Sequence, residues 1–249
     1  MSEPDGNSTA PPKSALARWA GRELEVRFEA VTAQGEPALL LAVVVAAASV
    51  TWNQSAQQNP IVPSLMIGGL VVGLITAMIT IFKKSWSPIT APVYAAAEGL
   101  FLGGLSAYFE ARYPGIAFQA VGLTFGTLFG LLFAYRTGII RATENFKLGI
   151  FAATSGICLL YFVGFVMSFF GSGIPYIHES GMIGIGFSLF VVVIAALNLV
   201  LDFDFIEQGA AHGAPKYMEW YGAFGLLVTL VWLYIEILRL LAKLNSRRD

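Results

Sequence analysis

Ionisable side chains are scarce in the apolar stretches of this chain, and the few that interrupt them are the residues that could do chemistry. Glu98 falls nine residues into a run that begins at Ile89. That is about 14 Å along a helix rising 1.5 Å per residue, close to the middle of a bilayer. An ionised group there costs on the order of 2.5–3.5 kcal/mol on insertion scales. Glu98 is therefore either a protonated carboxyl hydrogen-bonded inside a bundle or a site that takes a proton or a cation. Further on, ALNLVLDFDFIEQ places Asn198 and Asp202 four residues apart on one helix face, while Asp204 is rotated by about 200° from Asp202. Only one of the two aspartates can point into a bundle. The face shared with Asn198 makes it Asp202, and Asp204 and Glu207 are left to water or a loop. In the last apolar run Thr229, Trp232, Glu236 and Arg239 line one face. Glu236 can pair with Arg239 within the helix, which would bury both, or act directly. The ion-pathway candidates are thus Glu98, Asn198, Asp202, Thr229, Glu236 and Arg239. Carboxylate oxygens are the hard ligands calcium takes, so Glu98 and Asp202 are where such an ion could bind transiently.

Chemistry of other kinds finds no support. The two histidines, His178 and His212, fall between apolar runs, and no H-E-x-x-H, G-x-S-x-G or phosphate-cradling glycine loop occurs. Intramembrane proteolysis would need a serine–histidine pair or paired aspartates at membrane depth, and neither is visible. The expectation is a non-enzyme without a cofactor. Cys158 is the single cysteine, so it has no disulfide partner and no second thiol to share a metal with. Ten residues inside an apolar run, it should be a buried, unreactive packing residue. With 15 basic and 16 acidic residues, no net field suggests nucleic acid as a partner.

The elements that must hold these residues follow from hydropathy. The chain is 56% hydrophobic and 12% charged, whereas a soluble domain carries roughly 25% charged residues. Seven apolar runs have about the length that crosses a hydrocarbon core. They are Pro37–Trp52, Ile61–Phe82, Ile89–Phe109, Ile116–Tyr135, Leu148–Gly171, Met182–Leu201 and Tyr217–Leu241. The expected fold is an all-α integral membrane protein, a seven-transmembrane-helix bundle over residues 37–244. A polar tail, 1–36, precedes it and a short one, 245–249, follows. Within the first tail, Lys13–Ala33 mixes charged and apolar groups at a spacing that fits an interfacial helix as well as a solvated segment. No basic region leading into a short apolar core marks a cleavable signal peptide, and no internal repeat supports an inverted-repeat transporter.

Basic residues orient the bundle. With the N-terminus cytoplasmic, the inner segments hold Arg22, Arg27, Lys83, Lys84, Arg136, Arg141, Lys147 and Lys216, and the outer ones hold Arg112. Seven crossings then leave Lys243, Arg247 and Arg248 outside, against that rule. In this frame Asp202 lies at the cytoplasmic end of the sixth span, Glu98 about 14 Å deeper, and Glu236 roughly 25–29 Å up the seventh. The three would be successive stations rather than one site. Glycines at four-residue spacing, Gly69 and Gly73, Gly99 and Gly103, and Gly122, Gly126 and Gly130, predict smooth stripes for close helix packing.

Several of these stretches resemble one family. EGLFLGGLS from Glu98 looks like the E-G-L-x-L-x-x-x-S segment of Bax-inhibitor (transmembrane Bax-inhibitor-motif) proteins, bacterial branch. Ala120-Val121-Gly122-Leu123-Thr124 resembles their A-x-x-x-T segment, LVLDFDFI their L-Y-D-x-x-x-I, and LYIEILRLLAKL their last helix. The similarity runs from about Leu39 to Leu244. It implies a seven-helix bundle in the bacterial inner membrane whose last helix is enclosed by the others. It also implies a pH-sensitive calcium leak governed by a carboxylate pair between the last two helices. Asp202 matches the first carboxylate of that pair, and the position of the second falls on Thr229. Since some bacterial relatives are linked to regulating a membrane protease, the resemblance equally implies an alternative: a non-conducting regulator of a membrane protease or stress-response partner. The expected partners are the lipid bilayer, calcium or other cations, and a second membrane protein.

Overall fold

The computed structural model describes residues 35–170 and 181–247, which form seven α-helices, a single 3₁₀ turn at Lys84–Trp86 and no strand. The helices are α1 (Gly35–Ala56), α2 (Val62–Phe82), α3 (Ser87–Arg112), α4 (Ile116–Arg136), α5 (Glu144–Phe169), α6 (Met182–Ala211) and α7 (Tyr217–Ser246). Each coincides with one of the seven expected runs, although α2 begins at Val62 rather than Ile61 and α5 ends at Phe169. The expected interfacial helix at Lys13–Ala33, like His178, lies outside the described residues. Gly35 and Glu36, expected in the first tail, belong to α1, and Asn245 and Ser246 belong to α7.

Local chemistry sets the boundaries. The Thr143 hydroxyl accepts from the Phe146 N–H at 3.3 Å and caps α5, with Glu144 in the first turn. Gly115, at φ 85°, turns the chain between α3 and α4. The Glu110 carboxylate accepts from the N–H groups of Gly115 and Ala117 at 2.6 and 3.1 Å, and so caps α4 from the preceding helix. The sixth helix departs from the expected Leu201 end, because it runs 30 residues and stops only before Gly213, at φ 62°. Phe203 and Ile206 explain the extension. They keep the core-facing stripe going through the polar stretch and are 0% and 5% exposed.

Six helices are long and apolar enough to cross a membrane, and α3 is the exception. Its composition follows from its position. It packs along α1, α2 and α7 and buries twelve residues, mostly Ala, Gly, Ser and Thr. A helix covered by protein need not be apolar all round. The last helix, α7, packs on α1, α3, α4 and α6 and buries 13 of its 30 residues, whereas α5, which packs along α6, buries two of its 26.

The glycine stripes divide in two. A Cβ on Gly69 would strike the Ala97 carbonyl, one on Gly99 the Val44 carbonyl and one on Gly103 the Ala48 carbonyl, so α1–α3 and α2–α3 are the close seams. Around Gly122, Gly126 and Gly130 a Cβ would meet nothing within 4 Å. The expectation of close packing fails there because α4 turns Ala120, Thr124 and Leu128 inward. Cys158 is corrected as well. It is exposed rather than buried, since α5 uses Ile150 and Ile157 for its contact with α6 and leaves its other faces uncovered.

Candidate functional site

The carboxylates lie on three different helix interfaces. Asp202 lies on the seam between α6 and α7. A methyl on Gly225 of α7 would sit 3.6 Å from its Oδ1, and the Thr229 hydroxyl is within its hydrogen-bonding reach. Its Oδ2 is shielded from solvent and has no hydrogen-bond partner. Thr229 itself is buried. The aspartate and threonine that the sequence aligned with the family's carboxylate pair are therefore neighbours in space.

Glu98 occupies a different seam. It is buried on α3 with Gly73 of α2 against it, where an added methyl would come 3.0 Å from Oε1. One turn back on the same helix, Tyr94 is within hydrogen-bonding reach of the carboxylate. Tyr94 also meets Phe224 of α7 edge to face at 5.0 Å and 75°. Phe224 precedes Gly225, so Tyr94 ties the Glu98 helix to the turn of α7 that meets Asp202.

Glu236 is the third buried carboxylate, at 2% exposure. Its Oε1 accepts from the Tyr161 hydroxyl of α5 at 3.0 Å and from Arg239 Nη1 at 3.3 Å. The intrahelical pair read from the spacing is present, and Tyr161 adds a donor from a helix that no local pattern linked to it. Asn198, one turn before Asp202 on α6, reaches toward α5 rather than α7. Its amide donates to Thr154 of α5 at 2.8 Å and to the Ile194 carbonyl, so it ties α6 to α5.

Asp204 and Glu207 are not left to water or a loop. The Tyr135 hydroxyl donates to Glu207 at 2.6 Å and lies 3.5 Å from Asp204. Lys147 pairs with Asp204 at 2.8 Å and with Glu144 at 3.2 Å. Helices α4, α5 and α6 are thus joined at one end of the bundle by a polar knot. The tyrosine hydroxyls that complete both networks come from residues 69 to 75 positions away. The only sequence signal was that a tyrosine in an apolar run needs a partner for its hydroxyl.

Axial levels change the expected ladder. Ser87 Oγ donates to the Tyr217 carbonyl at 2.6 Å, so α3 and α7 begin at the same end. Lys243, near the end of α7, donates to Ser188 and to the Gly184 carbonyl near the start of α6, so α6 and α7 are antiparallel. At 1.5 Å per residue from the Ser87–Tyr217 level, Glu98 stands about 16 Å in, Gly225 and Thr229 about 12 and 18 Å, and Glu236 about 28 Å. Asp202 is therefore level with Glu98. The expectation of Asp202 at the end of its span fails because α6 continues for nine residues beyond it. Among the described residues no group of three or more His, Cys, Asp or Glu could hold a metal ion, and no preformed calcium cage joins Glu98 to Asp202.

The family model for Bax inhibitor 1 like proteins matches residues 26–246, nearly the whole chain. Neither a curated protein nor a solved structure gives a significant match. That match takes in all seven described helices, and this integral membrane protein belongs to the Bax inhibitor 1 like family.

Proposed function

We propose that the protein is a pH-sensitive cation leak, with calcium the ion it passes. All seven helices cross the bacterial inner membrane, the N-terminus is cytoplasmic, and α7 is the helix enclosed by the others. It acts without catalysis or a cofactor. The observation that carries this reading is the shielded Asp202 Oδ2, a carboxylate oxygen without a donor at the α6–α7 seam. An orphaned buried acceptor is costly, and either a proton or a cation relieves it. Exchange between the two makes one side chain both ion site and pH sensor. Glu98 supplies a second carboxylate at the same level, and Thr229 an oxygen beside the first. Glu236, held by Tyr161 and Arg239, serves the opposite half of the path. Binding at single carboxylates, without a cage, suits an ion that must also leave.

The test is calcium entry into sealed vesicles that carry the purified protein and enclose a calcium dye. Wild type admits calcium at a rate that depends on pH. Asp202→Asn keeps the shape but cannot exchange a proton, so its flux should lose that dependence, and Glu98→Gln should slow entry while the protein stays folded. Absence of flux at every pH would sink the leak. It would favour the second reading, a non-conducting regulator of a membrane protease or stress-response partner. One observation favours that reading: the stripe of Gly122, Gly126 and Gly130 is unused among the described residues and would let a partner helix approach closely.

A further inference from the structure

Helices α1 and α4 are both membrane spans, yet they do not pack along each other; each packs on α7 instead. Between them a slit of about 160 Å³ opens toward the bilayer. Val45 of α1 and Val121 of α4 stand on its two banks, 59% and 41% exposed. Leu227, Leu230 and Val231 of α7 form its floor and are themselves buried, so the slit is narrow.

Its walls have no polar group to offer a ligand. Among the described residues that line it, only Ser106, Thr124 and Tyr234 carry a hydroxyl, and each donor is already engaged. Thr124 donates to the Ala120 carbonyl at 2.8 Å and Ser106 to the Leu102 carbonyl at 2.6 Å. With the Ser106 proton so used, the 2.6 Å contact between Ser106 and Tyr234 has the tyrosine as donor. A polar headgroup would find no free donor here, and a wall this apolar does not hold water.

The depth identifies the occupant. At 1.5 Å per residue from Tyr217, Leu227 and Tyr234 stand about 15 and 26 Å along α7, in the half of a roughly 30 Å hydrocarbon core away from the Ser87–Tyr217 junction. The slit is continuous there with the lipid-facing surface, since Val45 and Val121 belong to both. What the bilayer supplies at that depth is acyl chain. Drug-sized ligands occupy about 300–1,000 Å³, so a slit of about 160 Å³ admits a length of one unbranched chain and not a ring system. Left empty, its walls would lose dispersion contacts that a chain restores. In lipid, where apolar burial gives no drive of its own, such contact is what selects an occupant.

We propose that the slit between α1 and α4 holds one unbranched acyl chain of a membrane lipid against the last helix. The chain and not the headgroup is recognised, and the site does not depend on whether the protein conducts.

Native mass spectrometry of the full chain in detergent, titrated with palmitoyl-oleoyl phosphatidylglycerol, tests this. Wild type should retain one lipid, and the diacylglycerol with the same chains should be retained equally well. Phosphatidylglycerol with methyl-branched phytanoyl chains should be retained about tenfold less. Val45→Phe combined with Val121→Phe narrows the mouth from both banks and should weaken retention of the palmitoyl-oleoyl lipid by a similar factor, with melting temperature as the check on folding. Leu159→Phe, at an exposed position of α5, should leave retention unchanged, which separates the slit from general lipid contact. A wild type that retains no lipid, equal retention of branched and unbranched chains, or equal retention by wild type and the folded double variant would overturn the site. Retention of phosphatidylglycerol without diacylglycerol would overturn the chain as the recognised part. A dimer in place of the lipid adduct, separated by the double variant, would assign the slit to a second copy and overturn the lipid. Should the double variant fail to fold, the branched and unbranched lipids on wild type decide alone.

Discussion

Gly103→Ala isolates the close seam on which the carboxylate-bearing helix α3 depends. A methyl there would overlap the Ala48 carbonyl and come within 2.8 Å of Ala48 Cα and 2.9 Å of its carbonyl carbon. All three are backbone atoms, which cannot rotate aside, so α1 and α3 must separate by about 1 Å to restore contact distances near 3.5–4 Å. One turn away the same displacement loosens Gly99 from Val44 and Ala47. Overpacking of this kind costs roughly 1–3 kcal/mol, and the better helix propensity of alanine returns about 0.5–1 kcal/mol. With no flexible side chain to absorb the clash, the upper part of that range applies, and the net loss is about 1–2 kcal/mol. Gly126→Ala is the control. Its methyl meets nothing within 4 Å, so only the propensity gain of about 0.5–1 kcal/mol remains. The two variants should then differ by roughly 2–3 kcal/mol, or about 5–10 °C in melting temperature for a chain of this size. Size-exclusion chromatography after graded heating in one detergent measures the difference. Equal melting of the two variants, or a lower value for Gly126→Ala, would refute the packing argument.

Further outcomes follow from single contacts. Tyr161→Phe removes the hydroxyl that donates to the buried Glu236 at 3.0 Å and should cost about 1.5–3 kcal/mol, the usual worth of a bond to a charged group; unchanged melting would mean that Arg239 satisfies Glu236 unaided. Cys158→Leu should be neutral to within about 0.5 kcal/mol, because the side chain is exposed on α5, whereas a clear loss of stability would place it against protein. If the leak operates, its rate against pH in the vesicle assay should titrate with a slope near one proton, since Asp202 has a threonine and not a second carboxylate beside it. A slope approaching two would reveal a coupled acid elsewhere in the path.

Legibility in the sequence ended where interactions stopped being local. Six of the helices could be read because a membrane segment must satisfy its own backbone and be apolar over a fixed length, and both requirements act on consecutive residues. Glu98 stood out for the same reason, as an ionisable group in the middle of a run. The Glu236–Arg239 pair followed from helical spacing. Periodicity also gave the glycine stripes, but not which of them pack: Gly103 and Gly126 look alike along the chain and differ in whether a helix passes beside them. Cys158 failed on this point, since lipid and protein interior are equally apolar and hydropathy cannot separate them.

Tertiary structure decided the partners and the levels. Tyr161 with Glu236, Tyr135 with Glu207 and Thr154 with Asn198 join helices whose contacts depend on rotation about each axis. A rotation of about 100° separates one residue from the next, so small differences in packing choose the face. The axial register was hidden too. Only the Ser87–Tyr217 bond and the continuation of α6 to Ala211 bring Asp202 level with Glu98. By itself, then, the sequence determined where the helices of the described residues form, what they are made of and which carboxylates they carry into the bundle, because lipid imposes those rules residue by residue. Which seam each carboxylate occupies, and what stands opposite it, was decided by helix-on-helix packing, where lipid favours no face and close contact selects one.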